Sequence, residues 1–254
     1  MQNQELFDLL NVVGQIDFLY FNYENIIPSF TQIFSQVFTG SSAVGGFLGA
    51  SFALALQKGV ARGAFSNEAG QGSSPIAHAS SKTEDPVEEG IVSILEPFID
   101  TVIICTMTAL VIIIFNFGGY FEYGGDGLGT VMIDGVPFEG AGITSQAFAE
   151  YIPFSDVFLT IAVVLFAVST MISWSYYGLQ SWKFLFGRGK AADLTYKLLF
   201  CLFIVIGAAA SMNSIWAFSD AMIFAMVFPN MIGLYFLFPV VKEQLNKYLK
   251  VIKQ

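Results

Sequence analysis

The sequence predicts an all-α membrane protein that crosses the bilayer several times. Hydrophobic residues make up 55% of the 254 residues and charged residues only 12%. A soluble domain typically carries about twice that charged fraction. Long stretches also contain no charged side chain at all. Because a soluble fold of this size has too little core for so many apolar side chains, we expect lipid to cover many of them.

Five runs lack Asp, Glu, Lys and Arg, and each contains at least 21 residues. A helix needs about 20 residues to cross a bilayer core of about 30 Å. A helix also satisfies its own backbone hydrogen bonds, as lipid requires, whereas barrel strands would alternate over about 10 residues. The sequence therefore predicts about five spans. They are Ile33–Gln57, Thr101–Phe121, Val157–Trp182, Leu198–Ser219 and Ala221–Val241.

Residues 1–32 make a poor span, because Asp8, Asp17 and Glu24 interrupt their apolar residues. We expect an interfacial N-terminal remnant, with a short amphipathic helix over Pro28–Phe38.

Residues 33–254 form the predicted transmembrane part. Their long loop, residues 118–154, is rich in glycine, and Thr144–Tyr151 suits either a short helix acting as a lid or a solvated segment. Asn213–Ser214 predicts a tight turn between the last two spans. Pro229–Asn230 predicts a break, hinge or kink in the last one.

Basic residues predict the orientation. The loop Glu122–Asp156 has six acidic residues and no basic one, whereas lysines and arginines occur in segments 58–90 and 183–197 and at the C-terminus. Because basic residues stay on the cytoplasmic side, we expect the acidic loop outside and the C-terminus in the cytoplasm.

The most informative stretch follows the first run: Gly59 to Pro75 reads GVARGAFSNEAGQGSSP. Its glycines and Pro75 argue against a continuous helix. An interrupted helix offers free N–H groups to a carboxylate and free C=O groups to a cation, as an amino-acid site requires. The alternative is a simple cytoplasmic loop between two spans.

Charged residues near the membrane are further candidates. Asp100 lies in the second hydrophobic segment and Asp220 near the start of the last, where each suits a polar cavity or a packing partner. We expect Glu68 to pair with Arg62, more as a structural contact than as a substrate ligand.

The third run contains hydroxyl residues on one helix face. Ser169 and Ser173 are four apart, with Thr170 beside them, and hydroxyl oxygens suit sodium. The alternative is that these hydroxyls bond to backbone carbonyls or to a neighbouring helix. Trp174 and the following tyrosines also fit an interfacial aromatic belt.

Several function classes are excluded. No nucleophile–base motif surrounds the single histidine, His78, so we expect no enzyme and no cofactor. The 11 basic residues form no broad patch, which argues against a nucleic-acid partner.

Three motifs resemble one family, the alanine/glycine:cation symporters, also called the sodium:alanine symporter family. The first is the Gly59–Pro75 stretch, the second is Phe98–Thr101 with Ile104–Thr106, and the third is Ser173–Gly178. The similarity covers the chain from about Pro28 to its end. It implies a leucine-transporter-like fold of the APC superfamily, in which this chain contains the second of two inverted repeats.

The resemblance also implies roles for individual residues. Phe65, Ser66 and Asn67 would line the substrate site at an unwound helix, and Trp174 would close it. Sodium, the coupling ion, would bind at Ser169 and Thr170. Structural or gating roles fall to Arg62, Glu68 and Asp100.

The implied function is sodium-coupled symport of alanine and glycine across the cell membrane by alternating access. Family members are roughly twice as long, and the sequence contains no stretch like the Gly/Thr-rich helix of their first repeat. We therefore expect this chain to need a separate N-terminal half. The alternatives are a non-transporting fragment or subunit that complements such a half, and a channel with uncoupled sodium current.

Overall fold

The computed structural model describes residues 2–39, 48–122 and 130–252, and these residues are mostly helical. A short hairpin is the exception. In chain order the elements are α1 (Gln2–Phe21), α2 (Tyr23–Thr39), α3 (Leu48–Asn67), α4 (Ser74–His78), α5 (Pro86–Pro97), a π-helix (Phe98–Ile104), α6 (Cys105–Phe115), a 3-10 turn (Asn116–Gly118), β1 (Thr130–Ile133), β2 (Val136–Glu139), α7 (Ala141–Ala149), α8 (Ser155–Phe186), α9 (Lys190–Ala209) and α10 (Met212–Ile252).

Within the described residues, four helical segments are long and apolar enough to cross a membrane. They confirm helical spans at the last four of the five charge-free runs. The first run, Ile33–Gln57, includes residues 40–47, which lie outside the described part. The four segments are Pro86–Gly118, Leu159–Phe186, Lys190–Ala209 and Ser214–Ile252.

The second span begins well before the predicted Thr101. Asp85 caps α5 by accepting a hydrogen bond from the Val87 amide at 2.9 Å, and Pro86 occupies the first turn. Both features start helices efficiently, and the glutamates that follow favour the positive end of the helix dipole. The helical segment therefore extends beyond its charge-free part.

The last two spans are separated by residues 210–211 rather than by the predicted turn at Asn213–Ser214, because α10 already starts at Met212. The predicted break at Pro229–Asn230 is wrong, since α10 runs through both residues, whereas a hinge or kink there stays a prediction. Its charged C-terminal turns remain helical, with Lys247 paired to Glu243 at 2.8 Å across one turn.

The chain divides into two compact units. Unit 1 comprises Met1–Lys58 and Val102–Thr170, and unit 2 comprises Gly59–Thr101 and Met171–Gln254. The two boundaries near Lys58 and Thr170 fall inside α3 and α8.

Unit 1 has an apolar core around α6. Phe18, Val111 and Phe148 are fully buried, so α1 and α7 both contribute to it. The side-chain amide of Gln15 donates to the Thr108 hydroxyl at 2.7 Å, which adds a polar contact between α1 and α6. The N-terminal residues, expected to be an interfacial remnant, thus form two helices, and both pack on this core.

The described part of the long loop contains an antiparallel hairpin followed by a short helix. Thr130 pairs with Glu139 and Ile133 with Val136. The predicted helix over Thr144–Tyr151 corresponds to α7, three residues earlier. The buried side chains of α7 face the core of unit 1.

Unit 2 contains the end of α3, α4, α5, the start of the π-helix, the end of α8, α9 and α10. In it, α5 contacts α10. No residue in the most apolar stretch of α9 is buried, and only 6% of the corresponding stretch of α10 is buried. Unit 2 holds the predicted interrupted helix.

Candidate functional site

The predicted interruption is confirmed, but it begins later than expected. The helix ends at Asn67 and α4 begins at Ser74, so Phe65, Ser66 and Asn67, which were expected at an unwound helix, are still helical. Between them, Glu68, Gly70 and Gly72 have φ angles of 54°, 81° and 98°. Residues other than glycine seldom adopt this left-handed region of backbone conformation. The glycines therefore allow the chain to leave the helix here. Residues 68–73 are called the connection below.

Side chains replace the missing helical hydrogen bonds of the connection. The amide of Ala69 donates to Asn67 Oδ1 at 2.9 Å, and the side-chain amide of Gln71 donates to the carbonyl of Ala64. Gln71 is 1% exposed. The last turn of α3 is therefore held partly by local side chains, which is a common way to satisfy a helix end.

Two consecutive residues of α3 bond to two consecutive residues of the π-helix. The Ser66 hydroxyl donates to Asp100 at 3.0 Å, and the Asn67 side-chain amide donates to the Thr101 hydroxyl at 2.9 Å. Gly63 lies against the Thr101 methyl group, since a Cβ on it would be 3.7 Å away. A π-helical turn changes the register of a helix and often marks a functional position.

Arg62 pairs with Asp220 of α10 at 2.5 Å, and not with Glu68 as the sequence predicted. Its guanidinium also lies 4.6 Å from the ring centre of Trp216 and 5.7 Å from that of Phe65. The two rings contact each other edge to face at 5.8 Å. Arg62 therefore has an ionic and an aromatic partner on the same helix.

Glu68 faces unit 2 residues other than Arg62. Its carboxyl group lies near the polar side chains of Ser73 and Trp174. The predicted pocket residue Trp174 thus lies beside the connection.

A cavity of about 530 Å³ adjoins the connection within unit 2. Of the four predicted substrate residues its lining includes Trp174, whereas Phe65, Ser66 and Asn67 make the contacts described above. The lining combines residues of the connection and α4 with those of three long helices. They are Gln71, Gly72, Ser73, Ile76, Trp174, Tyr177, Gly178, Ser181, Tyr196, Phe200, Met226, Pro229 and Asn230.

The two predicted sodium ligands lie on α8 within unit 1. The Ser169 hydroxyl donates to the carbonyl of Phe166 at 2.9 Å, so its oxygen keeps acceptor capacity. The Thr170 hydroxyl oxygen is buried and has no hydrogen-bond partner within the described residues. A buried oxygen without a partner is costly unless something binds it.

His78 forms a further polar cluster at the end of α4. Its Nδ1 lies 2.6 Å from Glu89 and its Nε2 lies 3.1 Å from Glu96, both on α5. The hydrogen bond to Glu89 raises the pKa of the imidazole most, against the opposing effect of burial, and Glu96 adds to the increase.

Sequence reasoning missed several partners of the predicted residues. It gave no role to Thr101, it assigned Arg62 to Glu68, and it treated Asn230 only as part of a helix break. In the structure, the Asn230 side chain donates to the carbonyl of Gly70 at 2.9 Å. The available signal was a polar side chain within an apolar helix, which usually has a specific partner.

Comparison with known proteins matches the sequence to one family. The profile of the sodium:alanine symporter family covers residues 7–254. The sodium/alanine symporter AgcS of Methanococcus maripaludis is 36% identical over 242 residues, which cover 95% of this chain and 49% of that protein.

Two further relatives come from bacilli. The probable sodium/glutamine symporter GlnT of Bacillus subtilis is 31% identical over 94% of this chain and 46% of its own length. The sodium/proton-dependent alanine carrier protein of Bacillus sp. strain PS3 is 30% identical over 92% of this chain and 52% of its own length. The chain thus spans about half the length of these relatives, and it belongs to the sodium:alanine symporter family.

Proposed function

We propose that this chain is the C-terminal transmembrane half of a carrier that couples sodium entry to uptake of alanine and glycine. The observation that carries the proposal is the interruption of α3 at Asn67, where three residues with positive φ leave the helix before α4. An interrupted membrane helix provides backbone groups for a zwitterionic substrate. Members of this family are carriers and not enzymes.

The substrate would bind at Phe65, Ser66 and Asn67, with Trp174 closing the site. Two aromatic side chains leave room for a methyl group and exclude larger ones, which favours alanine and glycine. The contacts of Ser66 and Asn67 with the π-helix hold these side chains in one position. Such preorganisation lowers the entropy lost when a ligand binds.

Sodium would bind at Ser169 and Thr170, and the buried oxygen of Thr170 supports this assignment. Sodium would favour the conformation that binds the amino acid, and alternating access would follow from the coupled equilibrium. Arg62, Glu68 and Asp100 would keep the ends of the interrupted helix in place. The carrier would lie in the cell membrane with its C-terminus in the cytoplasm, as the basic residues predict.

We further propose that transport needs the first repeat, which the other half of the relatives would supply. The slight burial of the apolar helices in unit 2 supports this, because a complete carrier would cover part of them with protein.

The experiment is sodium-driven uptake of labelled alanine into proteoliposomes. One sample contains this chain alone. The other, called the complemented carrier below, contains this chain co-expressed with the part of the M. maripaludis symporter that it does not match. We expect uptake only from the complemented carrier.

The control is that symporter itself, produced as two polypeptides divided at the corresponding position. If the divided symporter transports alanine and the complemented carrier does not, the proposed function is wrong and a non-transporting subunit is favoured. Uptake by this chain alone would refute the need for a first repeat. Sodium current without alanine uptake would indicate a channel.

A further inference from the structure

Helix α10 contacts the interrupted helix on both sides of its break. Before the break, Asp220 pairs with Arg62 of α3. After it, Asn230 bonds to the carbonyl of Gly70 in the connection. These two residues are ten apart on a continuous helix, which corresponds to about 15 Å. A single helix thus contacts the chain on both sides of the proposed substrate residues.

The contact at Asn230 is close as well as polar. Its Nδ2 donates to the Gly70 carbonyl at 2.9 Å. A Cβ on Gly72 would lie 3.3 Å from three side-chain atoms of Asn230, and Gly72 has a φ of +98°. Glycine at 72 is therefore needed both for the backbone conformation and for the close approach of α10.

The Gly70 carbonyl has left the helix, so a helical amide no longer satisfies it. Where water is excluded, a carbonyl without a donor is unfavourable. Asn230 supplies the donor from within a largely apolar helix, where polar side chains are otherwise unfavourable. This pairing fixes which way the Gly70 peptide points, and so which backbone groups of the connection remain free.

We propose that Asn230 is a positioning residue for the substrate site: it fixes the backbone of the connection from α10, with Asp220 as the second point of attachment. The inference rests on the proposed function only for the effect that Asn230 has on transport. Asn230 also lines the cavity beside the connection, together with Trp174, so its removal changes the site without touching Phe65, Ser66 or Asn67.

The first test measures hydrogen–deuterium exchange of the purified chain in lipid nanodiscs, without substrate. Asn230→Ala should accelerate exchange in peptides covering residues 68–73 about fivefold, because the connection opens more often once the hydrogen bond to the Gly70 carbonyl is lost. Asn246→Ala, on the exposed end of the same helix, is the matched control and should change nothing there. Equal exchange in the Asn230 variant and the control would overturn the inference.

Asn230→Asp separates the hydrogen bond from the shape of the side chain. A carboxylate cannot donate to the Gly70 carbonyl, whereas a neutral carboxylic acid can. The variant is compared with the unmodified chain at each pH. The faster exchange of Asn230→Asp should therefore return toward the unmodified level as the pH falls. Exchange that stays fast at acidic pH would show that a donor at this position is irrelevant.

The transport readout uses the complemented carrier. Asn230→Ala should raise the KM for alanine about fivefold and leave the maximal rate and the amount of protein in the membrane unchanged. A fall in maximal rate with constant KM would contradict a positioning role. If the unmodified complemented carrier shows no uptake, the proposed function fails, and the exchange measurement alone decides whether Asn230 fixes the connection.

Discussion

Units 1 and 2 are held together by different interactions. In unit 1, Phe18, Val111 and Phe148 are completely buried in a shared apolar core. In unit 2, the buried residues among those with described side chains are Gln71, Ser73 and Ile223. Two of these three are polar and belong to the connection. Unit 1 thus resembles the inside of a globular domain, whereas unit 2 is ordered around an interrupted helix.

This difference indicates what surrounds the apolar side chains of unit 2. Phe184 and Phe236 are 88% and 81% exposed, although both lie on apolar helices. In a membrane, lipid or another part of a carrier covers such residues, so burial within unit 2 is not required for its stability. Several specific contacts of unit 2 are instead polar and lie at the end of α3.

The largest effect should come from the core of unit 1. Phe148→Ala should lower the free energy of unfolding by about 3 to 5 kcal/mol, because it leaves a cavity in a closely packed core. Phe184→Ala in unit 2 is the matched control and should cost far less. Unfolding in mixed detergent micelles, followed by circular dichroism, measures both. Similar losses would show that the units do not differ in this way.

The next effect concerns the two hydroxyls of α8. In the complemented carrier, Thr170→Val should raise the sodium concentration for half-maximal uptake about tenfold, because it removes a buried oxygen that has no partner among the described residues. Ser169→Ala should have a smaller effect, since its hydroxyl already bonds to the Phe166 carbonyl. Sodium titration of alanine uptake is the measurement. An unchanged sodium dependence in Thr170→Val would remove Thr170 from the ion site.

A smaller effect is expected where α3 meets the π-helix. Thr101→Val keeps the shape of the side chain but removes the oxygen that accepts from Asn67, so the KM for alanine should rise about fivefold. Thr101→Ser restores the hydroxyl and should behave like the unmodified complemented carrier. If the serine and valine variants give the same KM, the Asn67 contact has no part in binding.

The smallest effect should come from His78. Its pKa is raised in the folded protein, so its contribution to stability is complete below the unfolded value of about 6.5 and is lost as pH rises through the folded value. Because the cluster is partly exposed, we expect less than about 1 kcal/mol. His78→Gln should remove this part of the pH dependence of unfolding, which begins near the unfolded pKa of about 6.5 and extends to higher pH. An identical profile in both proteins would contradict the assignment.

The sequence predicted the helices well where an apolar run and the helix that contains it have nearly the same length. It made the helical segments that contain α5 and α10 too short. Runs without charges mark residues suited to lipid, whereas glutamate and lysine also favour helix and continue it past those runs. It also placed the turn between α9 and α10 at Asn213 rather than at residues 210–211, since asparagine is compatible with a helix start as well as with a turn.

The break in α3 was predictable because Gly70, Gly72 and Pro75 are local signals. Its partners were not, because they come from distant parts of the chain. Asp220 is 158 residues from Arg62, and Asn230 is 160 residues from Gly70. A polar residue in an apolar run indicates that a partner exists, but only the packing of helices determines which one it is.

The central claim is that the interrupted end of α3 forms an alanine site with Trp174. The most direct measurement is the KM for alanine of the complemented carrier with Asn67→Ala and with Trp174→Ala, against Asn246→Ala as control. We expect sodium-dependent uptake from the unmodified carrier and the control, and a KM at least about tenfold higher, or no uptake, from the other two. An alanine KM that both substitutions leave unchanged would contradict the account.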